Sequence, residues 1–219
     1  QAVEDAGLVF IGPRPETVAL TGDKLAARRM ARETGLPVLP GPDEPLDHGP
    51  IQPLLEGQIV FPVLIKAVAG GGGRGIRLAN NSTELEDMVS AARKEAQASF
   101  GNDEVYLEPL VLGARHIEVQ IIGDGNGNVI CLGERECSIQ RRRQKLIEEA
   151  PASHLPEHLR LAFQEDALKL ARRLNYRGLG TIEFLLDKNG EFFFIEVNPR
   201  IQVEHPVTEM VTGIDLVRE

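Results

Sequence analysis

Residues 180–205 read "GTIEFLLDKNGEFFFIEVNPRIQVEH". Two apolar-rich runs flank "DKNG", the pattern of an antiparallel β-hairpin. With Asn189-Gly190 as a two-residue type I′ turn, counting outward pairs Lys188 with Glu191, Leu186 with Phe193, and Glu183 with Glu196. Thr181 and Asn198 form the next pair on that face. Glutamates directly opposed on a sheet destabilise it unless something positive lies between them. A divalent cation meets that need, because carboxylates and an amide oxygen are hard ligands of the kind Mg²⁺ prefers. Strict alternation also places Phe192 and Phe194 on the face of Glu196, which favours a site over two merely solvated glutamates.

Upstream, "RHIEVQIIGDGNGNVICLGEREC" reads as another hairpin, "EHLRLAFQEDALKLARRLNY" as the longest helix and "EVYLEPLV" as a strand. Residues 83–98 read as a helix with a Thr83/Glu86 capping box, "GLVFIG" as a short strand and "TGDKLAARRMARETGL" as a helix. "PVLPGPDEPLDHGP" holds five of the 14 prolines and marks an irregular entry into a second unit. Hairpins mixed with helices predict an α+β fold of two lobes rather than a regularly alternating parallel sheet.

Residues 70–75, "GGGGRG", match three phosphate-loop patterns at once. A dinucleotide fingerprint needs its last glycine to open a helix, and a P-loop needs Lys-Ser/Thr where this chain has Ile76-Arg77. The extended runs "QIVFPVLIKAV" and "GIRLA" flank the glycines instead, predicting a hairpin tip whose bare backbone N–H groups approach phosphate. Lys66 on the incoming strand supports phosphate over an idle surface loop. Such a tip is expected to be among the least ordered parts of the chain without nucleotide.

The 219 residues carry 24 Lys plus Arg against 33 Asp plus Glu, a net charge of −9, which argues against a large nucleic-acid footprint. No apolar stretch approaches a membrane span, and the N-terminus lacks a signal-peptide pattern, so a soluble cytoplasmic protein is expected. Cys131 and Cys137 fit neither a disulfide framework nor a zinc site. Both ends of the chain lie inside helical patterns, so a fragment of a longer polypeptide is expected. Any bound polyanion must be met locally: Arg141, Arg142, Arg143 and Lys145 cluster in "QRRRQK", while Lys24, Lys66, His116 and Arg200 lie near strand ends or glycine turns. Arg200, Gln202, Glu204 and His205 add a guanidinium, an amide, a carboxylate and an imidazole beside the glutamate pair, able to orient a small oxyanion and take its proton.

The blocks "FIGPRPETVALTGDKLAARR", "KAVAGGGGRGIRL", "RHIEVQIIGD", "ERECSIQRRRQKLIEEAPA", "GTIEFLL" and "FIEVNPRIQVEHPVTEMVTGIDLV" together resemble the ATP-grasp region of biotin carboxylase over nearly the whole chain. The resemblance implies an ATP-grasp fold with nucleotide between two lobes. Residues 1–39 would be the end of a preceding domain and the start of the core, 40–110 a small lid lobe and 111–219 the main lobe. It implies that Lys24, Lys66, Gly71, Gly72, Gly73, Arg74, Gly75, Glu108, Val111, His116 and Gln140 bind ATP. Glu183, Glu196 and Asn198 would hold Mg²⁺ or Mn²⁺, and Lys145, Arg200, Gln202 and Val203 would bind bicarbonate. Glu204 would be the general base, with Arg200 and Lys145 also catalytic.

The implied reaction is ATP-dependent carboxylation of carrier-bound biotin through carboxyphosphate. The implied partners are a biotin carboxyl carrier protein or domain and a carboxyltransferase component, with a homodimeric full-length protein. The expected location is the cytoplasm, with mitochondrial matrix or plastid as the alternatives in a eukaryote. Two positions depart from the family: Pro109, often Lys, has no N–H, so Leu110 or Val111 must supply any backbone donor to adenine; Arg143 stands where His is frequent. The alternatives are another ATP-grasp ligase, carbamoyl-phosphate-synthase-like or carboxylate–amine, and a truncated, non-catalytic nucleotide-binding module. The final acyl acceptor stays open.

Overall fold

The computed structural model describes residues 1–49, 59–70 and 75–219. In chain order the elements are α1 (Ala2–Asp5), α2 (Pro15–Gly22), α3 (Lys24–Glu33), β1 (Val63–Ala67), β2 (Ile76–Ala79), α4 (Ser82–Phe100) and β3 (Val105–Pro109). There follow β4 (Arg115–Asp124), β5 (Val129–Arg141), β6 (Gln144–Glu149), α5 (Glu157–Arg173), β7 (Arg177–Leu186), β8 (Phe192–Asn198) and α6 (His205–Thr212). They build two antiparallel sheets, a small one ordered β2-β1-β3 and a larger one ordered β6-β5-β4-β7-β8. Among the described residues no helix is long and apolar enough to cross a membrane.

The small sheet packs Val63, Ile65, Val105 and Leu107 against Leu85, Val89 and Ala92 of α4. The cap of α4 is not the expected Thr83/Glu86 pair. Asn81 Oδ1 accepts the Glu84 N–H (3.1 Å), and the Glu84 carboxylate accepts the Asn80 N–H (3.0 Å). The box lies two residues earlier because Asn81, in extended backbone, has a carbonyl that reaches the first turn.

β1 and β2 are antiparallel neighbours, Lys66 facing Ile76, with the Ala67 N–H on Gly75 O at 3.0 Å. A strand therefore follows the glycines, the context that neither a P-loop nor a dinucleotide turn provides. Gly70, at φ +103°, could not be another residue without movement, since a Cβ there would lie 2.3 Å from the Phe100 ring. The expectations for Gly71, Gly72, Gly73 and Arg74, and for the order of that tip, lie outside the described residues.

Two local readings are corrected. "GLVFIG" forms no strand; Leu8, Val9 and Ile11 are exposed, and alternation cannot supply the neighbour that a strand's N–H and C=O groups require. The helix read from Thr21 onward begins at Lys24, because the Asp23 carboxylate accepts the N–H groups of Leu25 and Ala26, both at 2.9 Å.

The larger sheet has an apolar face of Ile117, Val119, Ile121, Ile182, Phe184, Phe194 and Val197, which packs on α5 and α3. Phe163 of α5 sits at its centre, 5.2 Å from the Phe184 ring and 4.5 Å from that of Phe192. We expect Phe163→Ala to cost about 3–5 kcal/mol of stability through the cavity it opens. Urea unfolding measures this, and a loss under about 1 kcal/mol would contradict the packing.

The β7–β8 hairpin corrects the turn count in an instructive way. The Asp187 N–H donates to Glu191 O at 2.8 Å, so the loop has three residues, ending in Gly190 at φ +85°. Leu186 therefore faces Phe192, not Phe193. A bulge at Ile195 then shifts the register by one and brings Glu183 opposite Glu196 and Thr181 opposite Asn198. The longer loop and the bulge cancel for the glutamates. They do not cancel for the phenylalanines, so Phe192 and Phe194 lie on the core face, opposite Glu196.

Candidate active site

The sheet's other face is polar. One rung crosses four strands as Arg135 (β5), Glu118 (β4), Glu183 (β7) and Glu196 (β8). The next pairs Gln120, Thr181 and Asn198. His116 lies two residues before Glu118, on the same side of β4. Arg135 and Glu118 are fully buried and Glu183 nearly so. Three glutamates abreast repel one another, so the rung holds only because cations reach each of them.

Those cations come from four elements. Arg135 Nε donates to Glu118 Oε1 at 2.7 Å. Lys145 Nζ, on β6, meets Glu118, Glu183 Oε1 (2.8 Å) and Glu204 Oε1 (2.7 Å). His116 Nε2 lies 2.8 Å from Glu183 Oε2, and Lys24 Nζ, at the start of α3, lies 3.4 Å from Glu196 Oε2. Gln140 Nε2 approaches His116 Nδ1 at 2.7 Å. Asn198 Nδ2 and Gln202 Nε2 reach Glu183 Oε1 at 2.9 and 3.4 Å. Of the predicted residues, Glu183, Asn198, Glu204, Lys145, Gln202, His116 and Gln140 thus share one hydrogen-bonded network, and Glu196, paired with Lys24, adjoins it by standing opposite Glu183 in the sheet.

The charges follow from this geometry. Burial raises the Glu183 carboxyl, but His116 and Lys145 outweigh it and hold the group well below the usual carboxylate range. Burial lowers His116, yet Glu183 draws it above its ordinary value. Glu204 is likewise raised by burial and brought below the ordinary value by Lys145. Burial dominates at Glu118, whose carboxyl is held up despite Arg135 and Lys145. Burial also pushes the Cys137 thiol far up, so it carries no thiolate at neutral pH.

A second cluster borders the small sheet. Lys66 Nζ pairs with the buried Glu108 carboxylate, whose other oxygen lies 3.5 Å from Arg28 Nη1 and 3.4 Å from the Tyr106 hydroxyl. Lys24 Nζ also donates to Gly70 O, joining α3 to the residue that follows β1 and its bridge. The Leu110 N–H is taken by Pro62 O at 3.1 Å, so of the two donors expected after Pro109, Val111 remains.

Other predicted residues stand apart. Arg200 is exposed and donates to Ile201 O at 3.0 Å, and Val203 is 91 % exposed. Arg142 and Arg143 form the β5–β6 turn at φ 52° and 64°, and Arg143 Nη1 reaches Ile76 O at 3.0 Å. The basic run is therefore sorted by strand geometry, with only Lys145 directed into the rung.

Sequence reasoning missed Glu118 and Arg135. The signal was present in "RHIEVQI", where His116, Glu118 and Gln120 alternate with Ile117, Val119 and Ile121. A strand with apolar residues on one side and three chemically capable ones on the other has two committed faces. Glu183 and Glu196 offer the oxygen donors that Mg²⁺ takes, and their present partners are cations or N–H groups, so these two fit a divalent ion; Asn198 turns its amide nitrogen to Glu183, which leaves its oxygen as the third hard donor.

The profile of the family described as "Carbamoyl-phosphate synthase L chain, ATP binding domain" matches residues 23–219. A biotin carboxylase from Nostoc sp. is 52 % identical over 215 residues, 98 % of this chain and 48 % of the relative. The structure of a biotin carboxylase–βγ-ATP complex from Campylobacter jejuni superposes with TM-score 0.95 at 48 % identity, covering 99 % of this chain and 48 % of that one. The biotin carboxylase domain dimer of Hydrogenobacter thermophilus 2-oxoglutarate carboxylase, in complex with MgADP, ADP and bicarbonate, gives TM-score 0.94 at 45 % identity, with coverage of 99 % and 48 %. The chain spans about half the length of these relatives.

Proposed function

The chain belongs to the carbamoyl-phosphate synthase L chain ATP-binding family, as a biotin-carboxylase-type ATP-grasp fold, and from that premise we propose that it carries the ATP and bicarbonate chemistry of biotin carboxylation. The observation that carries the reading is Lys145, whose ammonium binds the expected base Glu204 and the expected metal ligand Glu183 at once. The base and the phosphate-activating end of the site are then within one side chain of each other.

In this reading Lys24 and Lys66 bind the nucleotide phosphates, and residues Glu108 to Val111 bind adenine through the backbone, since the Glu108 carboxylate is committed to Lys66. Glu183, Glu196 and Asn198 hold Mg²⁺ or Mn²⁺, which supplies charge neutralisation to the triphosphate. Lys145, Gln202 and the Val203 backbone orient bicarbonate. Glu204 takes the bicarbonate proton, an oxygen of the resulting anion attacks the γ-phosphorus, and the bond to ADP breaks. The carboxyphosphate divides into CO₂ and phosphate; the phosphate removes the ureido proton of biotin, and the nitrogen attacks CO₂ while Arg200 stabilises the enolate. Arg200 is exposed, the position of a residue that meets a substrate arriving on a carrier.

The corresponding partners are a biotin carboxyl carrier protein or domain and a carboxyltransferase component, with the full-length protein a homodimer. ATP hydrolysis by the full-length protein that requires bicarbonate and rises with free biotin is the expected result. Nucleotide binding without turnover would instead support a non-catalytic module, and ammonia-dependent turnover a carbamoyl-phosphate-type ligase.

Lys145 restrains the basicity of Glu204, because an adjacent ammonium favours the ionised carboxylate. Removing the ammonium makes the carboxylate bind protons more readily, so its pKa rises. The acidic limb of kcat/KM for bicarbonate should therefore move to higher pH in Lys145→Met. A limb that stays in place on the residual rate would exclude this pairing.

A further inference from the structure

Arg135, like Glu118 beside it in the larger sheet, is a charged residue with no exposed surface, and four partners surround its guanidinium. Nε donates to Glu118 Oε1 (2.7 Å), Nη1 to Gln120 Oε1 (2.9 Å) and Thr208 Oγ1 (2.6 Å), and Nη2 to Gln202 Oε1 (3.3 Å). It ties β4 and β5 to α6 and to the loop that carries Gln202.

We propose that Arg135 is a positioning residue that makes Gln202 a donor to an oxyanion. The inference rests on the reading of Gln202 as a bicarbonate ligand. A guanidinium has only donors, so the end of the Gln202 amide that faces Arg135 must be its oxygen. The Thr181 hydroxyl, 2.6 Å away, donates to that same oxygen and leaves it doubly occupied. The amide nitrogen is then the end turned toward Glu183, at 3.4 Å, and toward the Lys145 pocket. With the oxygen engaged, Gln202 offers N–H groups, which suit an anion and not an ammonium or amide donor.

Arg135 has a second effect on the same pocket. By pairing with Glu118 Oε1 it supplies one positive charge to a carboxylate whose other oxygen Lys145 holds, so the Lys145 ammonium, which also meets Glu183 and Glu204, shares the neutralisation of Glu118 instead of bearing it alone. Gln120 is itself aligned, its Nε2 donating to Gly180 O at 3.0 Å, so its oxygen is presented to Arg135. The guanidinium is therefore held on three sides while the fourth orients the ligand-reading amide.

The test is a double-substitution cycle in the full-length protein, read as KM for bicarbonate against KM for MgATP and kcat. Gln202→Ala sets the scale. Arg135→Lys should raise the bicarbonate KM roughly tenfold, the scale on which partners behind a ligating group act, with the MgATP KM little changed. The double variant should be no worse than Gln202→Ala alone. Thr181→Val removes the other donor to the Gln202 oxygen without touching a charge, and should shift the bicarbonate KM in the same direction even where Arg135→Lys folds poorly. Multiplying effects in the cycle, or equal rises in both KM values, would overturn the positioning role. An unchanged bicarbonate KM in Gln202→Ala would remove the underlying site reading, and the proposal with it.

Discussion

Glu204→Gln in the full-length protein should reduce biotin-dependent ATP turnover by at least ~10²-fold, the lower end of what a positioned general base contributes, while leaving MgATP binding intact. The substitution preserves size, and the amide can still accept from Lys145, so the ammonium keeps a partner. On the proposed mechanism, what is lost is the ability to take the bicarbonate proton. Lys145 also keeps Glu118 and Glu183, so the network around the expected metal site survives. Steady-state turnover measured beside equilibrium nucleotide binding separates the two effects. Unchanged turnover would end the assignment of Glu204 as base, and a parallel loss of nucleotide affinity would show that the substitution had disturbed the phosphate end instead.

Glu183→Gln is expected to act on the other half of the reaction. Glu183 is the centre of the rung, its two oxygens shared among Lys145, His116, Asn198 and Gln202. Neutralising it removes one of two carboxylates from the proposed metal pair and leaves Glu196, which Lys24 already approaches at 3.4 Å. The metal-dependent part of nucleotide affinity should fall by about 10²-fold, or roughly 2.8 kcal/mol. Titrating nucleotide with and without Mg²⁺ in the parent and the variant measures it. Equal affinity with and without the metal in the parent would reject Glu183 and Glu196 as a metal pair.

The hairpin at residues 180–198 shows how a sequence reading reaches a correct pair by an incomplete route. Counting from Asn189-Gly190 placed Glu183 opposite Glu196, and the structure has that pair, but through a three-residue loop and a compensating bulge at Ile195. Nothing in the local pattern announces the bulge. It arises because Phe192 and Phe194 are drawn into the core with Phe163 and Phe184, while Glu196 must face the cations on the other side. One extra residue is the only way for a strand to serve both faces in that order.

The rest of the polar face needed several segments at once. His116, Glu118 and Arg135 are each legible as alternating strand residues, but that they share a rung with Glu183 is a matter of strand order, β5 beside β4 beside β7. Strands β4 and β7 are separated by two other strands and a helix, so no local count sets their register. Likewise the run Arg141 to Lys145 announces positive charge, and only the tight turn at Arg142-Arg143 decides that Lys145 enters the network while its neighbours remain outside.

Local chemistry was therefore written in the chain: the hairpins, the antiparallel α+β class, the strand that follows the glycines, and the side chains able to bind phosphate, metal and an oxyanion. These depend on turn residues and two-residue periodicity, interactions a short segment makes with itself. Tertiary packing alone decided that Glu118 stands beside the Glu183–Glu196 pair, which cation neutralises each carboxylate, and which end of Gln202 faces Arg135. Those choices are settled by burial, because a desolvated charge must find its partner wherever the fold brings one, irrespective of distance along the chain.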